Sequence, residues 1–411
     1  MPITGRFFLG VESMGREAKG YIRQRKDGRW EGRYVYQKHQ RSIYGKTEYE
    51  VCEKLKVIIN LIKEGKYVKP NEHTVSFWMD KWYEMYASIV LRPSTFVNYR
   101  GIIDRHIKPY FGNLFLKNVS VEMLQRFFNE KMINGRLDGK EGGLSPKTIK
   151  NMKHMLNVAF TQALHQRIIT YNPVEGVKLP TGEDNEARVL NKEEKASFYN
   201  VIRNKHDTIA QGIVILLNCG LRKGELLGLR WENVNFEENY IKINQTLCRL
   251  QNFKTNSSNS NYIKIDTYAS KKNKTAIYLG PVKTKKANRI IYLTNDAKSA
   301  LISLFEIGDK YQQESEHDSF NPYGFVLCSK EGKSLEPRVF DDGFKKIIAQ
   351  ANLKDVNVHA TRHTFATEAM QKSNDILSIS AILGHAQPST TLNMYGHTFE
   401  SQKKKLMALF D

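Results

Sequence analysis

Three things are scarce in this chain of 411 residues. Cysteine is the first: Cys52, Cys219, Cys248 and Cys328 are scattered, with no Cys-x-x-Cys pair. That spacing excludes a zinc ribbon or a disulfide frame and suits the reduced cysteines of a cytoplasmic protein. Long hydrophobic runs are the second. The longest, Ile213 to Leu217, is broken by Asn218, far short of the ~20 residues that a spanning helix needs. Met1 to Arg6 likewise lacks the apolar region of a signal peptide. Acid is the third, with 43 Asp and Glu against 63 Lys and Arg, a net charge of +20. Such an excess calls for a polyanionic partner, and without a membrane segment nucleic acid is the better candidate. With 40% hydrophobic and 26% charged residues the chain is globular rather than disordered.

What is present is mainly α with small β elements, an α+β chain in four parts. Residues 1–70 are expected to form a small N-terminal domain, 72–176 a helical domain, 177–187 a linker and 188–411 a mixed helical domain with a β insertion. In the first, Gly20 to Arg25, Trp30 to Tyr36 and Arg41 to Gly45 read as three strands. Asp27-Gly28 supplies the positive dihedrals of the first turn. Thr47 caps a following helix, with Glu50 as its capping-box partner and Leu55, Ile58, Ile59 and Ile62 on its apolar face. Residues 1–46 hold 11 Lys and Arg against 4 Asp and Glu. A basic ribbon with interleaved aromatics fits a DNA groove, which makes Arg23, Arg25, Arg29, Arg33 and Tyr34 candidate DNA contacts.

The second part reads as four helices, opening at Thr74, Pro93, Ser120 and Ser145-Pro146. In the last, Ile149, Met152, Leu156, Ala159 and Ala163 recur at spacings of three and four and form a core stripe. Lys147, Lys150 and Lys153 lie off that stripe, where they can meet phosphates or merely solvent. After the linker, Tyr240 to Ile243 and Arg289 to Leu293 alternate as strands. Thr246 to Ile290 between and around them carries 10 Lys and Arg and the single acid Asp266.

Chemistry is concentrated near the C-terminus. A phosphodiester resists attack because its anionic oxygens repel nucleophiles and its leaving group is poor. Without a metal, an enzyme needs cations for the charge growing on the nonbridging oxygens, an in-line nucleophile and an acid for the leaving oxygen. Arginine suits the first role, since its planar fork donates parallel hydrogen bonds and stays charged. Arg222 stands in Gly-Leu-Arg-Lys-Gly-Glu, with Glu225 three residues on as a structural partner. His359 and Arg362 lie one helical turn apart in His-Ala-Thr-Arg-His-Thr-Phe. His359 and His363 have the spacing of a helical zinc pair, but no Glu follows His359 and no third ligand is evident, so no metal is expected. His385 closes a Leu-Gly-His turn. Pro388-Ser389 opens a short helix leading to Tyr395, whose hydroxyl must lose its proton during attack because a free tyrosine has a pKa near 10.

In order and spacing these residues resemble the tyrosine recombinase family, the lambda-integrase-like enzymes. The matching positions are Arg222, His359, Arg362, His385 and Tyr395, with Lys283 in Val-Lys-Thr-Lys-Lys where the family places a hairpin lysine; Lys285 competes for that register. The resemblance implies site-specific recombination of a phage or conjugative transposon. Tyr395 would form a 3′-phosphotyrosine, Arg222 and Arg362 would clamp the phosphate, and Lys283 would protonate the leaving oxygen. His359 would move the tyrosine proton, and His385 would hydrogen-bond the phosphate. It further implies no cofactor and a tetramer on two duplexes. The helical segment would bind core sites and the N-terminal sheet flanking arm sites, with an excisionase or a DNA-bending host protein as accessory partners. A type IB topoisomerase would use the same chemistry, and a non-catalytic DNA-binding regulator would share the charge. The tail from Phe399 to Phe410 can pack on its own domain or on a neighbour's.

Overall fold

The computed structural model describes residues 20–36, 39–64, 73–180, 188–203, 205–251, 261–266, 275–315, 319–373 and 375–395. Within these, the side chains of Asp266, Lys285, Thr390 and residues 393–395 lie outside the description, as does the tail from Phe399. The chain divides into two compact units, Met1–Ser88 with Asn98–Gly182, and Ile89–Val97 with Glu183–Asp411. No described helix is long and apolar enough to cross a membrane.

The first unit begins with an antiparallel sheet of β1 (Gly20–Gln24), β2 (Trp30–Tyr36) and β3 (His39–Gly45), in that order. Gly28 takes φ +81° in the turn between β1 and β2, as the Asp-Gly pair requires. Pairing of Ile22 with Gly32 and of Gly32 with Ile43 sets the register. Ile22, Tyr34, Tyr36 and Ile43 pack on Leu55, Ile58, Ile59 and Ile62 of α1 (Glu48–Lys63). The Thr47 hydroxyl caps that helix by accepting from Glu50 N, but the Glu50 carboxylate turns to Lys46 N at 2.9 Å rather than to Thr47. Tyr34 is 2% exposed, so it is a core residue beneath the sheet and not one of the side chains the ribbon presents outward. Strand alternation decides this, since position 34 shares its face with Ile22 and Ile43.

The opposite face of the sheet is built around an acid. Glu31 is buried, and its carboxylate accepts from Arg23 Nε at 2.7 Å, Arg33 Nε at 3.0 Å and Ser42 Oγ at 2.7 Å. Burial alone would raise its pKa, but the bonds from Arg33, Ser42 and Arg23 outweigh it and hold the group at about 2.

The helical segment follows the sequence expectation closely. α2 (Val75–Trp82) runs through a π turn, Tyr83–Ala87, into α3 (Ser88–Val90). α4 (Pro93–Ile102) runs through another, Ile103–Ile107, into α5 (Lys108–Phe111). α6 (Val121–Asn134) and α7 (Pro146–His165) complete it. Thr74, Ser120 and Ser145 cap α2, α6 and α7 by accepting from Phe77, Met123 and Thr148 N–H groups. The α7 stripe is buried, and Trp78 Nε1 donates to the Ala159 carbonyl at 3.1 Å.

The second unit is organised on α9 (Thr208–Cys219), which follows α8 (Lys192–Arg203). Its Ile213 to Leu217 run is apolar on every side and is buried accordingly. After α10 (Lys223–Leu227), β4 (Val234–Asn235), β5 (Tyr240–Ile243) and β9 (Arg289–Tyr292) form one antiparallel sheet. The basic stretch between β5 and β9 holds more structure than its composition suggests. β6 (Gln245–Gln251), β7 (Ile263–Asp266) and β8 (Thr275–Pro281) make a second sheet in the order β6-β8-β7. Ala276 to Gly280 are all buried, so β8 has no exposed face to give an alternating pattern, and its flanking lysines mask it. α11 (Asn295–Gln313), α12 (Pro337–Gln350), α13 (Val358–Lys372), α14 (Ile376–Leu383) and α15 (Pro388–Tyr395) finish the unit, with α11, α12 and α13 packed against α9.

The depressed pKa of Glu31 has a stability consequence with a definite sign. Its contribution is present above the ordinary carboxylate pKa of 4.5 and is lost as pH falls towards about 2. Hydrogen exchange of the β2 amides should therefore show wild type better protected than Glu31→Gln at neutral pH, with the gap closing between those values. A gap independent of pH would mean that the carboxylate is not what holds the sheet.

Candidate active site

Arg222 is the N-cap residue of α10, where the backbone turns after the left-handed Gly220. Its N–H donates to Glu225 Oε2 at 3.0 Å and its Nη1 to Glu225 Oε1 at 2.7 Å. About a third of the Arg222 side chain stays open to solvent, at 35%, while Glu225 is buried. A second guanidinium, that of Arg289, donates Nη2 to Glu225 Oε2 at 2.9 Å. Burial would raise the Glu225 pKa, but the hydrogen bond and charge of Arg289, and then Arg222, bring it below the usual carboxylate range. The group is ionised, and one carboxylate orients two cations.

Arg362 enters from α13 and is almost wholly buried. Its Nη1 donates to the Gly220 carbonyl at 2.7 Å and its Nη2 to the Leu383 carbonyl at 2.6 Å. These carbonyls belong to the C-terminal ends of α9 and α14, where the helix macrodipole is negative. They hold the guanidinium without cancelling its charge. Both helices close on a left-handed glycine, Gly220 at φ +61° and Gly384 at φ +65°. A Cβ at Gly220 would also come within 2.4 Å of the Phe365 ring, so both backbone and space demand glycine there.

The α14 turn delivers His385. Its Nδ1 meets Thr391 Oγ1 at 2.7 Å, which ties the ring to α15. Burial lowers its pKa, and the charges of Arg362, Arg222 and Arg289 lower it further, to about 4. The imidazole is thus neutral at physiological pH. His359 is exposed at the start of α13, and its ring meets that of His363 edge-on at 4.7 Å. His363 is buried and its pKa falls to about 4, through burial and then the His359 and Arg362 charges.

The structure therefore brings Arg222, Arg362, His359 and His385 into one electrostatic neighbourhood. Lys283 is exposed in the segment between β8 and β9. Tyr395 is the last residue of α15, one helical turn beyond Thr391, and its side chain and that of Lys285 lie outside the described residues. Arg289 and Thr391 are the members that the sequence alone does not reveal. Arg289 reads there as the first residue of a strand, and no local pattern marks it as reaching α10 and α14. Thr391 has one available signal, its position four residues before the tyrosine.

The remaining candidates differ in how free they are. Arg23 and Arg33 are held by Glu31. Arg25 and Arg29 share the exposed Asp27 and lie over the Tyr44 ring at 5.4 and 5.9 Å. Lys147 and Lys150 are exposed on α7, whereas Lys153 Nζ is tied to the Val177 carbonyl at 2.5 Å and is a structural tether. Three guanidiniums with one carboxylate among them, shared by Arg222 and Arg289, leave the cluster cationic, the charge a site needs to hold an anionic ester.

Comparison with known proteins gives the family. Residues 188–402 match the phage integrase family, and residues 74–132 match the phage integrase N-terminal SAM-like domain. A tyrosine recombinase XerC-like protein of Caldanaerobacter subterraneus subsp. tengcongensis is 25% identical over 379 residues, 89% of each chain. The ICEBs1 integrase of Bacillus subtilis is 22% identical over 78% of each. In fold, the chain resembles the Tn1549 transposon integrase in complex with transposon right end DNA. The TM-score is 0.64 at 22% identity, covering 82% of this chain and all of that one. A lambda integrase tetramer bound to a Holliday junction gives 0.52 at 17% identity, covering 90% and 94%.

The enclosure of His385 by cations is open to direct measurement. Its ring resonances should stay constant from about pH 8 to about pH 5.5 and titrate near pH 4. A midpoint near 6.5 by NMR would show that the ring is neither buried nor faced by the three guanidiniums.

Proposed function

Because the chain belongs to the phage integrase family, the tyrosine recombinases, we propose that its arginine–histidine cluster is where DNA is cut and that Tyr395 is the nucleophile. The protein is a DNA strand transferase of the integrases found in mobile elements. The Tyr395 hydroxyl attacks the scissile phosphorus as the bond to the 5′ oxygen breaks, leaving a 3′-phosphotyrosine and a free 5′-hydroxyl. His359 takes the tyrosine proton and Lys283 supplies one to the departing oxygen. Arg222 and Arg362 neutralise the charge that grows on the nonbridging oxygens. Neutral His385, with Nδ1 occupied by Thr391, offers its Nε2 side to the phosphate. Attack of another strand's 5′-hydroxyl on the phosphotyrosine reverses these steps and restores the tyrosine. The phosphodiester bond energy is conserved, so the cycle balances without ATP.

The observation that carries this reading is the fixed excess of positive charge at one place. Arg222 and Arg289 share Glu225 as their carboxylate partner, while Arg362 is held by the Gly220 and Leu383 carbonyls. Residues 188–411 are the catalytic domain in this scheme, 177–187 a linker, 72–176 the core-binding domain and 1–70 the arm-binding domain. The partner is double-stranded DNA at core and flanking sites. Four protomers assemble on two duplexes, as in the lambda integrase tetramer, with an excisionase or a DNA-bending host protein setting direction. Joining of strands between two duplexes distinguishes this activity from relaxation of one duplex by a topoisomerase.

Tyr395→Phe should abolish the covalent protein–DNA adduct on denaturing gels and leave DNA binding nearly intact, since only the nucleophilic oxygen is removed. The wild-type adduct should form equally well in excess chelator. An adduct with the phenylalanine variant would reassign the nucleophile, and loss of adduct in EDTA with recovery on adding Mg²⁺ would replace the mechanism.

At the turn of the N-terminal sheet, Arg25 and Arg29 pair with the exposed Asp27, whereas Arg23 and Arg33 are held by the buried Glu31. Replacing Arg25 and Arg29 together with Ala should weaken binding to flanking DNA. The log–log salt slope should fall by about 0.9 for each phosphate that is no longer neutralised. Core-site cleavage should be unchanged. An unaltered salt slope would remove this sheet from the DNA interface.

A further inference from the structure

Arg289 is the one guanidinium of the cluster to which the reaction scheme gives no task. It is 9% exposed, and its side chain is more enclosed than that of Arg222, 6% against 35%. Its donors are spent inside the protein on three segments. Nη2 goes to Glu225 Oε2 at 2.9 Å, Nη1 to the Ala287 carbonyl at 2.9 Å, and Nε to the Ile382 carbonyl. We propose that Arg289 is a positioning residue for strand cleavage, which locks Arg222 through Glu225, His385 through the end of α14, and the Lys283 segment through its own backbone into one fixed arrangement.

Each link is short. Glu225 Oε2 is shared between Arg289 Nη2 and the Arg222 N–H, while Oε1 takes Arg222 Nη1. Without Arg289 the carboxylate keeps its bonds to Arg222 but loses the anchor that fixes its plane. Ile382 lies three residues before His385, and the chain between them turns at Gly384. A Cβ at Gly384 would lie 3.0 Å from Arg289 Nη1, so glycine lets the guanidinium reach under the turn. Arg289 itself opens β9, six residues after Lys283, and its bond to Ala287 draws in the short turn Lys285–Ala287. A planar fork sends donors from three separate nitrogens to three acceptors in fixed directions, whereas the donors of a lysine ammonium all leave one atom. Buried ion pairs add little net stability, so the value of this one lies in geometry.

The test rests on the recombinase reading and is built to fail separately from it. Wild type, Arg289→Met, Arg289→Lys, Glu225→Gln and the Arg289→Met/Glu225→Gln double variant are compared as full-length chains. The probe is duplex DNA carrying the element junction, and binding and adduct formation are measured side by side. Arg289→Met should bind DNA within about threefold of wild type yet cleave about 100-fold more slowly, the scale set by losing one oriented donor to the phosphate. Arg289→Lys should recover no more than about tenfold of that loss. If Arg289→Met fails to fold, Arg289→Lys, which keeps the charge, is compared directly with wild type and should itself cleave at least about tenfold more slowly. The double variant should be no slower than the slower single, because both changes act on Arg222 through one carboxylate.

A pH profile separates positioning from mere structural support. The charged groups facing Glu225 are Arg222 and Arg289, with Cys219 and His385 inside the field of Arg289. Without Arg289 the buried carboxylate protonates more readily. Cleavage by Arg289→Met should then decline more steeply than wild type as pH is lowered, and Glu225→Gln should remove that extra decline. Wild-type cleavage by Arg289→Met, multiplying effects in the double variant, or equal losses of binding and cleavage would overturn the proposal. If wild type itself forms no adduct, the recombinase reading fails. The His385 titration then still judges Arg289, whose loss should raise the His385 midpoint above about 4; an unmoved midpoint would refute the link.

Discussion

The arginine cluster of the second unit depends on one buried carboxylate. Glu225 sits between Arg222 and Arg289 and satisfies both, together with the Arg222 backbone N–H. Burying a carboxylate is costly, and two guanidiniums are what make it tolerable. Removing one partner from such an arrangement typically costs about 3–5 kcal/mol, because an uncompensated charge is left behind. The pairs are therefore mutually obligatory, and their positions are linked. In the proposed reaction, a phosphate entering beside Arg222 would meet a cation whose orientation is already set.

Helix termini supply the second constraint. α9 and α14 each end on a left-handed glycine, and Arg362 bridges the Gly220 and Leu383 carbonyls at those ends. Arg289 takes the neighbouring Ile382 carbonyl. Acceptors of this kind hold a guanidinium by geometry and by the negative end of the macrodipole, and they leave its charge available. A carboxylate holds more firmly but cancels charge. The cluster uses both, one acid for Arg222 and Arg289 and backbone carbonyls for Arg362, so it is rigid and still cationic.

The N-terminal sheet repeats the first device in a different setting. Glu31, buried on the face opposite α1, holds Arg23 and Arg33 and accepts from Ser42. On a narrow three-stranded ribbon there is no deep core to fix long cationic side chains, so a buried acid does it. Arg25 and Arg29 instead group at the turn about the exposed Asp27 and the Tyr44 ring.

The amino-acid sequence by itself determined most of the elements and marked the motifs that carry Arg222, Arg362 and His385. Helix caps at Thr74, Ser120 and Ser145, the Asp-Gly turn and the apolar Ile213 to Leu217 run are local signals, and the structure follows them. The motifs around Arg222, Arg362 and His385 were legible because their spacing is short and their residue types are few. Tertiary structure decided what no window of sequence contains. Tyr34 went to the core because strand alternation put it on the α1 side, and Lys153 became a tether because Val177 lies beside it. β8 stayed hidden because a strand buried on both faces loses its alternation. Arg289 stands 64 residues from Glu225 and 93 from Ile382, and only folding brings them together. Local propensity acts over one or two turns of chain, whereas a buried charge is satisfied by whichever segment the core delivers to it.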